Sequence, residues 1–294
     1  MSGGYYVGRF APSPTGPLHF GSLLAACASY LEARRHDGRW IVRIEDIDPP
    51  REQDGASSLI LSVLDAYGFE WDGDALFQSH STDDHVDAIA ALTGDCFECD
   101  CSRRRLAGEP TGELGTIYPG TCRTLGKTRG DTATRVTVGD TVTTFEDGLQ
   151  GPQRMDLASE SGDFVIRRRD ELIAYHLAVV VDDYLSGVTH IVRGIDLMPS
   201  THRQVFLQEK LGYPRPDYTH IPVAVHADGD KLSKLTGAPP LEAADAGPEL
   251  VRALTFLRQA PPDGLAGESI DTIWRWARDN WDISPLSGVR SVPA

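Results

Sequence analysis

The fold is decided by the stretch from Gly8 to Ala26, which reads GRFAPSPTGPLHFGSLLAA. It begins inside an apolar run, is interrupted by prolines and glycines, and resumes with an amphipathic pattern. This order predicts a strand, a tight loop and a helix. Such a junction presents backbone N–H groups and the positive end of a helix dipole, which favours an anion such as a nucleotide phosphate. An ordinary turn would show the same residues, so this stretch alone leaves both interpretations open.

Length and composition limit the classes of protein to consider. A chain of 294 residues that is 40% hydrophobic can bury a substantial core, and we expect two folding units. The sequence contains no long apolar run and no secretion signal, so we expect a cytoplasmic protein without a membrane partner. The formal charge of −15 argues against nonspecific nucleic-acid binding, but local arginine runs at 103–105 and 167–169 allow a specific contact.

The first third of the chain alternates strand and helix patterns. A helical stripe over 22–35 is followed by an apolar run over 40–44 and then by the carboxylates of 45–48. Further helical patterns cover 54–67 and 83–92. This alternation predicts an α/β protein in which the carboxylates gather at the carboxyl end of a parallel sheet, where ligands bind.

The pattern changes to short β-like pieces between residues 93 and 163, which predicts an insertion packed beside the main sheet. The α/β pattern returns with a strand over 188–194 and a helix over 201–211 that Ser200 would cap. We therefore divide the chain into the first half of a catalytic core (1–92), an insertion (93–163), the second half of the core with a lysine loop (164–236) and a short helical C-terminal region (237–294).

Two lysines lie close together in an arginine-rich chain. The sequence has four lysines against 24 arginines, and two of the four are Lys231 and Lys234. Compact ammonium groups on a polar loop suit transient stabilisation of a polyphosphate leaving group, although a solvated surface loop would look the same.

A cluster of cysteines indicates a metal site. Cys96, Cys99, Cys101 and Cys122 offer four thiolates at spacings that suit zinc, and in a reducing compartment such clusters hold metal more often than they form disulfides. Tyr118 offers a phenolate oxygen as an alternative fourth ligand, in which case Cys96 is an apolar filler. A closed site of four ligands would be structural.

The motifs together resemble class I glutamyl-tRNA synthetases. The run Arg9–Gly16 with His19–Ser22 is similar to their signature, whose last four residues match the HIGH motif, and Lys231–Leu235 matches the KMSKS loop with leucine at its second and last positions. The segment 43–48 and the residues Tyr175, Arg193 and Gly194 also fit, so that the resemblance covers residues 5–236.

This resemblance implies a Rossmann-type doubly wound parallel sheet that activates L-glutamate with ATP and Mg²⁺. The catalytic residues it implies are His19 and Lys234. The ATP-binding residues it implies are Pro12, His19, Gly21, Ser22, Lys231 and Lys234. The glutamate-binding residues it implies are Arg9, Phe10, Ala11, Pro12, Ser13, Glu45, Tyr175 and Arg193. Elementary chemistry agrees, because a substrate with two carboxylates and one ammonium group calls for two arginines and one carboxylate.

Only 59 residues follow Leu235, so we expect no anticodon-binding domain. In this respect the chain is similar to the glutamyl-queuosine tRNA(Asp) synthetase family, a group of stand-alone paralogues of the catalytic core. That resemblance implies a structural Zn²⁺ held by Cys99, Cys101, Tyr118 and Cys122. It also implies transfer of glutamate to queuosine in the anticodon arm of tRNA(Asp). Because we expect no anticodon-binding domain, we predict glutamate activation without tRNA, and we expect a monomer. The alternatives are a fragment that charges a tRNA 3′ end, a catalytically silent tRNA-binding paralogue, and a small-molecule adenylyltransferase of the same superfold.

Overall fold

The computed structural model describes residues 5–225 and 239–293. Its helices are α1 (Phe20–Arg35), α2 (Ala56–Ala66), α3 (Thr82–Ala91), α4 (Leu157–Glu160), α5 (Tyr175–Leu185), α6 (Met198–Leu211), α7 (Ala246–Phe256) and α8 (Ile270–Asn280). Its strands are β1 (Val7–Phe10), β2 (Arg39–Ile44), β3 (Leu76–Phe77), β4 (Cys96–Cys99), β5 (Thr111–Gly112), β6 (Gly115–Thr116), β7 (Ala133–Val136), β8 (Val142–Asp147), β9 (Gly151–Asp156), β10 (Phe164–Arg167), β11 (His190–Gly194), β12 (Asp217–Ile221), β13 (Val223–Val225) and β14 (Ser291–Pro293).

Parallel strands form the centre of the molecule. β3, β2 and β1 are hydrogen-bonded in that order, and β11 pairs with β12 in the same parallel sense. β11 lies beside β1, since the Thr189 N–H donates to the Val7 carbonyl oxygen at 3.0 Å. The strand order therefore reverses between β1 and β11, and in open α/β sheets such a reversal is where ligands bind. The predicted α/β class is confirmed.

The two faces of this sheet are covered by different helices. α1, α7 and α8 share one buried cluster with the strand residues Trp40, Val42 and Ile44. The opposite face packs Ile41 and Ile191 against α6. Because side chains alternate along a strand, each strand supplies one set of residues to each face.

The stretch 93–163 contributes to two sheets. β4, β7 and β10 form an antiparallel sheet of their own, whereas β8 pairs with β12 of the parallel sheet and with β9 on its other side. The expected boundary at residue 163 thus does not coincide with a change of sheet. β10 follows this boundary but joins the antiparallel sheet of β4 and β7, whereas β8 precedes it but pairs with β12 of the parallel sheet. The division into four segments stays a prediction.

The C-terminal region contains the two expected helices, α7 and α8, on either side of Pro261-Pro262. α8 packs through Trp274, whose indole N–H donates to the Tyr67 carbonyl oxygen at 2.8 Å and whose ring meets that of Tyr30 edge-on at 4.9 Å. This region therefore belongs to the same core as α1.

The predicted N-terminal boundaries of α6 and α1 are wrong. α6 begins at Met198, with Pro199 in its first turn, so Ser200 lies inside the helix and does not cap it. Proline is well suited to the first turn, since that position needs no N–H donor, and this signal outweighs the capping preference of serine. α1 likewise begins two residues earlier than the stripe that starts at Ser22.

Throughout residues 5–225 and 239–293, every helix is too short or too polar to cross a lipid bilayer.

Candidate active site

A cavity of about 690 Å³ opens at the carboxyl ends of β1, β2, β11 and β12. All the described residues that the resemblance assigns to ATP or glutamate line it: Arg9, Phe10, Ala11, Pro12, Ser13, His19, Gly21, Ser22, Glu45, Tyr175 and Arg193. The remaining two predicted residues, Lys231 and Lys234, lie outside the described residues. The structure thus brings together Arg9 and Arg193, which are 184 positions apart along the chain.

The loop after β1 is held by the backbone that follows β2. The Glu45 N–H donates to the Pro12 carbonyl oxygen at 2.9 Å, and the Gln53 N–H donates to the Pro14 carbonyl oxygen at 3.0 Å. Gly16 has φ of +130°, a conformation that favours glycine, and a Cβ there would lie 3.3 Å from the Gln53 amide. The loop and the Glu45 carboxylate therefore have a fixed relative position.

The first turn of α1 forms one end of the cavity. The N–H groups of Ser22 and Leu23 donate to the His19 carbonyl oxygen at 2.9 and 3.1 Å, and Gly21 and Ser22 line the cavity wall. No acidic residue lies in this turn, so the positive end of the helix dipole is not neutralised there. This end of the cavity suits phosphate groups.

Strand alternation places three arginines on the other face of the sheet. Arg9, Arg43 and Arg193 follow Val7, Ile41 and Ile191 by two positions on their strands, so each points toward α5 and α6. All three are at most 4% exposed. Buried cations need buried partners, and α5 and α6 supply them.

Asp183 on α5 pairs with two of these arginines. Its Oδ1 accepts from Arg9 Nε at 3.2 Å and from Arg43 Nη1 at 2.7 Å, and Arg43 Nη2 lies 3.6 Å from Glu45 Oε1. Burial alone would raise the pKa of Asp183, but the two guanidinium groups outweigh it and hold this pKa below its ordinary value. The carboxylate is thus a fixed anion behind the cavity that orients Arg9.

Arg193 is held by a second buried network. Its guanidinium donates to Thr201 Oγ1 and Gln204 Oε1, both at 2.7 Å, and its Nε donates to His220 Nε2 at 3.1 Å. His220 Nδ1 in turn contacts Asp147 Oδ2 at 2.5 Å.

Burial lowers the pKa of His220 to about 4, although the neighbouring Asp147 acts in the opposite direction. We therefore assign the neutral tautomer in which Nδ1–H donates to Asp147 and Nε2 accepts from Arg193. With these partners in place, Arg193 Nη1 is buried in the described structure without a hydrogen-bond partner. Since Arg193 lines the cavity, this nitrogen is available to an anionic ligand.

Glu45 is the buried acid of the cavity. Burial raises its pKa to about 7, although Arg43 and Arg9 act in the opposite direction. A bound cation would favour the ionised carboxylate. Glu45 is therefore suited to pair with an ammonium group of a ligand.

The cysteine cluster forms a separate site. Among the residues described, the Sγ atoms of Cys99, Cys101 and Cys122 all lie within 4.8 Å of one another. The Tyr118 hydroxyl lies 3.4 Å from Cys99 Sγ and 3.8 Å from Cys101 Sγ, and the Cys101 and Cys122 sulfurs are 3.6 Å apart. A tetrahedron with metal–sulfur bonds of about 2.3 Å has edges of about 3.8 Å, so these four side chains fit a tetrahedral zinc ion.

The surroundings of the cluster distinguish its four side chains from Cys96. The guanidinium carbon of Arg135 lies 4.0 Å from the centre of the Tyr118 ring. Cys96 packs instead against the cluster formed by α3, α5 and α6. The interpretation in which Cys96 is an apolar filler therefore fits the geometry, whereas a ligand role for it does not.

Sequence reasoning missed the residues that hold the arginines. Asp183, Asp147 and His220 are far from the motifs in sequence, and each is almost fully buried. The only sequence signal for these partners is the pair Asp182 and Asp183, which ends the apolar run over 177–181. Two carboxylates on a buried helix require buried cations.

Comparison with known proteins identifies the family. The family described as "tRNA synthetases class I (E and Q), catalytic domain" matches residues 6–242. The glutamyl-Q tRNA(Asp) synthetase of Pseudomonas fluorescens is 49% identical over 98% of this chain and 96% of its own length. The chain belongs to the glutamyl-Q tRNA(Asp) synthetase family. It is accordingly a ligase-type enzyme related to aminoacyl-tRNA synthetases.

Other relatives agree with this assignment. The glutamyl-Q tRNA(Asp) synthetase of Ectopseudomonas mendocina is 50% identical over 98% of this chain and 97% of its own length. The crystal structure of the glutamate-tRNA synthetase from Elizabethkingia anophelis superposes with a TM-score of 0.78 at 21% identity, over 99% of this chain and 68% of that one. This chain thus has the class I synthetase catalytic fold, as the resemblance implies.

Proposed function

We propose that this enzyme activates L-glutamate with ATP and Mg²⁺ to glutamyl-adenylate in the absence of tRNA. It then transfers the glutamyl group to the queuosine base in the anticodon arm of tRNA(Asp). The names of the relatives support the substrates, and one observation supports the chemistry. The described residues Arg9, Arg193 and Glu45 meet in one cavity that also contains the first turn of α1.

The charges of this cavity complement those of glutamate. The substrate carries two carboxylates and one ammonium group, and the cavity offers two guanidinium groups and one carboxylate. Arg193 Nη1 has no partner within the described structure and can donate to a substrate carboxylate. Glu45 pairs with the ammonium group, while Phe10, Ala11, Pro12, Ser13 and Tyr175 complete the glutamate site.

ATP occupies the end formed by α1. Gly21 and Ser22 let the nucleotide approach the helix N-terminus, Pro12 borders both substrates, and His19 contacts the phosphates. Lys231 and Lys234 stabilise the departing pyrophosphate. Described residues on both sides of their segment lie at the cavity, because Ala224 lines it and Pro240 forms a β-bridge with His19.

Two group transfers follow from this arrangement. A glutamate α-carboxylate oxygen attacks the α-phosphorus of ATP, the new P–O bond forms, and pyrophosphate leaves with its bond electrons. A hydroxyl of the acceptor then attacks the acyl carbon and AMP leaves. Positioning and charge stabilisation supply most of the rate, with Mg²⁺ neutralising phosphate charge when bound.

The zinc site has a structural role in this proposal. Cys99, Cys101, Tyr118 and Cys122 hold Zn²⁺, which ties β4 to the loop that carries Cys122. Four protein ligands leave no position for water or substrate, so the metal orders the insertion and takes no part in the chemistry. We also propose the four-segment organisation and a monomeric enzyme, as expected from the sequence.

The first test is ATP–pyrophosphate exchange with glutamate in the absence of tRNA. Exchange is expected with the wild-type enzyme. It is expected to fall at least tenfold in Arg193→Lys, since a lysine ammonium cannot replace the guanidinium group that donates to Thr201, Gln204 and His220. Arg215→Lys is the control, because Arg215 makes a surface ion pair with Glu209 at 2.7 Å. Absence of exchange in the wild type would favour a catalytically silent paralogue.

The second test identifies the acceptor. Labelled glutamate is offered with tRNA(Asp) that contains or lacks queuosine, and with queuosine-containing tRNA(Asp) from which the 3′-terminal adenosine has been removed. Incorporation is expected into both queuosine-containing tRNAs and not into the unmodified one. Label that requires the 3′ adenosine would identify a conventional tRNA-charging enzyme instead.

A further inference from the structure

A second cavity of about 290 Å³ opens from the glutamate end of the first. The two cavities share the Glu45 and Tyr175 walls, and the second continues away from the turn of α1 toward the loops after β2 and β3. Its size is at the lower limit for small-molecule sites, so it suits a fragment of a nucleoside rather than a whole nucleotide. The activation chemistry described above uses the shared residues Ser13, Glu45 and Tyr175, and it gives no role to the rest of the second cavity.

The deepest polar residue of this cavity is Gln78, which follows β3 and is 0% exposed. Its Nε2 donates to Asp182 Oδ2 at 2.7 Å. This contact fixes the amide orientation, because a carboxylate can only accept from it. Gln78 Oε1 is left buried without a hydrogen-bond partner in the described structure. A buried carbonyl oxygen in this state is unfavourable unless a ligand donates to it.

The rim of the cavity carries charge. Asp48 forms ion pairs with Arg51 and with Arg168, and the Arg168 Nη1 lies 2.8 Å from Asp48 Oδ1. Glu52 lies beside them, and within the described residues its carboxylate accepts from the Asp48 backbone N–H at 3.1 Å. No cation of the described residues pairs with Glu52, so its carboxylate can pair with a ligand cation.

The position of the cavity relates it to the second half of the reaction. Glu45 pairs with the ammonium group of glutamate in the proposed function, and that group and the acyl carbon are attached to the same α carbon. A cavity that begins at Glu45 therefore borders the acyl carbon. The opposite end of the first cavity is occupied by ATP, so an incoming nucleophile needs a separate approach.

We infer that the second cavity is the acceptor subsite, in which Gln78 Oε1 accepts from a ring hydroxyl and Glu52 pairs with a protonated amine of the acceptor base. This inference rests on the proposed function. The ligand chemistry is a small ring with vicinal hydroxyls on a secondary ammonium linker, as in queuosine. Ile47, Ile173 and Ala174 supply an apolar wall for the ring carbons.

Transfer from this subsite balances without a further reactant. The oxygen of the second ring hydroxyl, which does not donate to Gln78, attacks the acyl carbon of glutamyl-adenylate. An ester C–O bond forms and the mixed-anhydride C–O bond breaks. AMP leaves with the electron pair, and the hydroxyl proton passes to a phosphate oxygen of AMP.

The test separates activation from transfer. Glu52→Gln changes a half-buried rim residue and Gln78→Met removes the buried carbonyl; far-UV circular dichroism and thermal unfolding establish that each variant is folded. Both are expected to retain glutamate-dependent ATP–pyrophosphate exchange within twofold of wild type. Transfer of labelled glutamate from the preformed adenylate to queuosine-containing tRNA(Asp) is expected to fall at least tenfold. The control is Glu249→Gln, a partly exposed glutamate on α7 that pairs with Arg252.

A second readout uses the free nucleoside. Queuosine nucleoside is expected to inhibit transfer by the wild-type enzyme and to lose at least tenfold in apparent affinity for Glu52→Gln. Unchanged transfer and nucleoside affinity in Glu52→Gln, or equal losses of exchange and transfer, would overturn the acceptor assignment. If wild-type enzyme performs exchange but never labels queuosine-containing tRNA, the proposed function is wrong instead, irrespective of the variants.

Discussion

Replacing Asp183 by asparagine tests whether the buried ion network sets both stability and glutamate affinity. In the native enzyme Asp183 Oδ1 accepts from Arg9 at 3.2 Å and Arg43 at 2.7 Å, with all three side chains at most 5% exposed. The variant keeps the size and one oxygen acceptor but removes the charge. The ion pair that then remains within the described network is that of Arg43 with Glu45, whose carboxylate lies 3.6 Å away.

The expected loss follows from burial. Removing one partner of a buried ion pair typically costs about 3–5 kcal/mol, because the remaining charge stays desolvated. At about 2 °C per kcal/mol for a chain of this size, the midpoint of thermal unfolding falls by roughly 6–10 °C. Because the pKa of Asp183 is held below its ordinary value, this contribution is fully present above about pH 4 and is lost as the pH falls further.

The assays are thermal and urea unfolding at pH 7.5, combined with steady-state exchange kinetics. The control is Asp95→Asn, since Asp95 pairs with Lys210 at 2.8 Å while both side chains are about 35–45% exposed, and a surface pair contributes about 0–1 kcal/mol. We also expect the KM for glutamate to rise at least tenfold in Asp183→Asn, with the KM for ATP unchanged. A loss of stability no larger than that of the control, with an unchanged glutamate KM, would refute the reasoning.

Three further predictions concern the remaining elements of the two sites. Because burial raises the pKa of Glu45 to about 7 and only its ionised form pairs with ammonium, kcat/KM for glutamate is expected to fall up to about tenfold per unit below pH 7; a pH profile that is flat from 5.5 to 8 would contradict this. His220→Ala removes one of the partners that hold Arg193, so the glutamate KM is expected to rise about tenfold and the ATP KM to stay constant, whereas equal changes in both would indicate general damage. Cys101→Ser is expected to lower zinc content and thermal stability while Cys96→Ser leaves zinc content unchanged, as measured by metal analysis of the purified proteins; the reverse result would reassign the ligands.

The parts of the site that the sequence predicts are those carried by local motifs. Arg9 lies near the end of a strand, Glu45 follows a strand and His19 precedes a helix in short recognisable patterns, and the sheet then brings them to one edge. The glutamate-binding roles of Arg9, Tyr175 and Arg193 are predicted from the resemblance, because their immediate neighbours do not distinguish them from structural or surface residues.

The partners of the arginines could not be predicted in the same way. Asp183 lies 174 positions from Arg9 and Asp147 lies 73 positions from His220, so each contact depends on how helices and strands dock. Local periodicity contains no information about such pairs. The same limit explains the strand partners, since β8 and β10 have ordinary strand patterns and only tertiary packing decides which sheet each joins.

The packing of the C-terminal helices against α1 has a consequence for how the molecule opens. The match to the catalytic-domain family ends at residue 242, yet Trp274 and Leu254 fill the same core as Leu23 on the helix whose first turn faces the cavity. The nucleotide end of the cavity and the tail should therefore exchange their amide hydrogens as one cooperative unit. A protein trimmed after residue 242 is expected to lose protection across α1 as well as its tail, and with it the rigid helix end that we propose to bind phosphate.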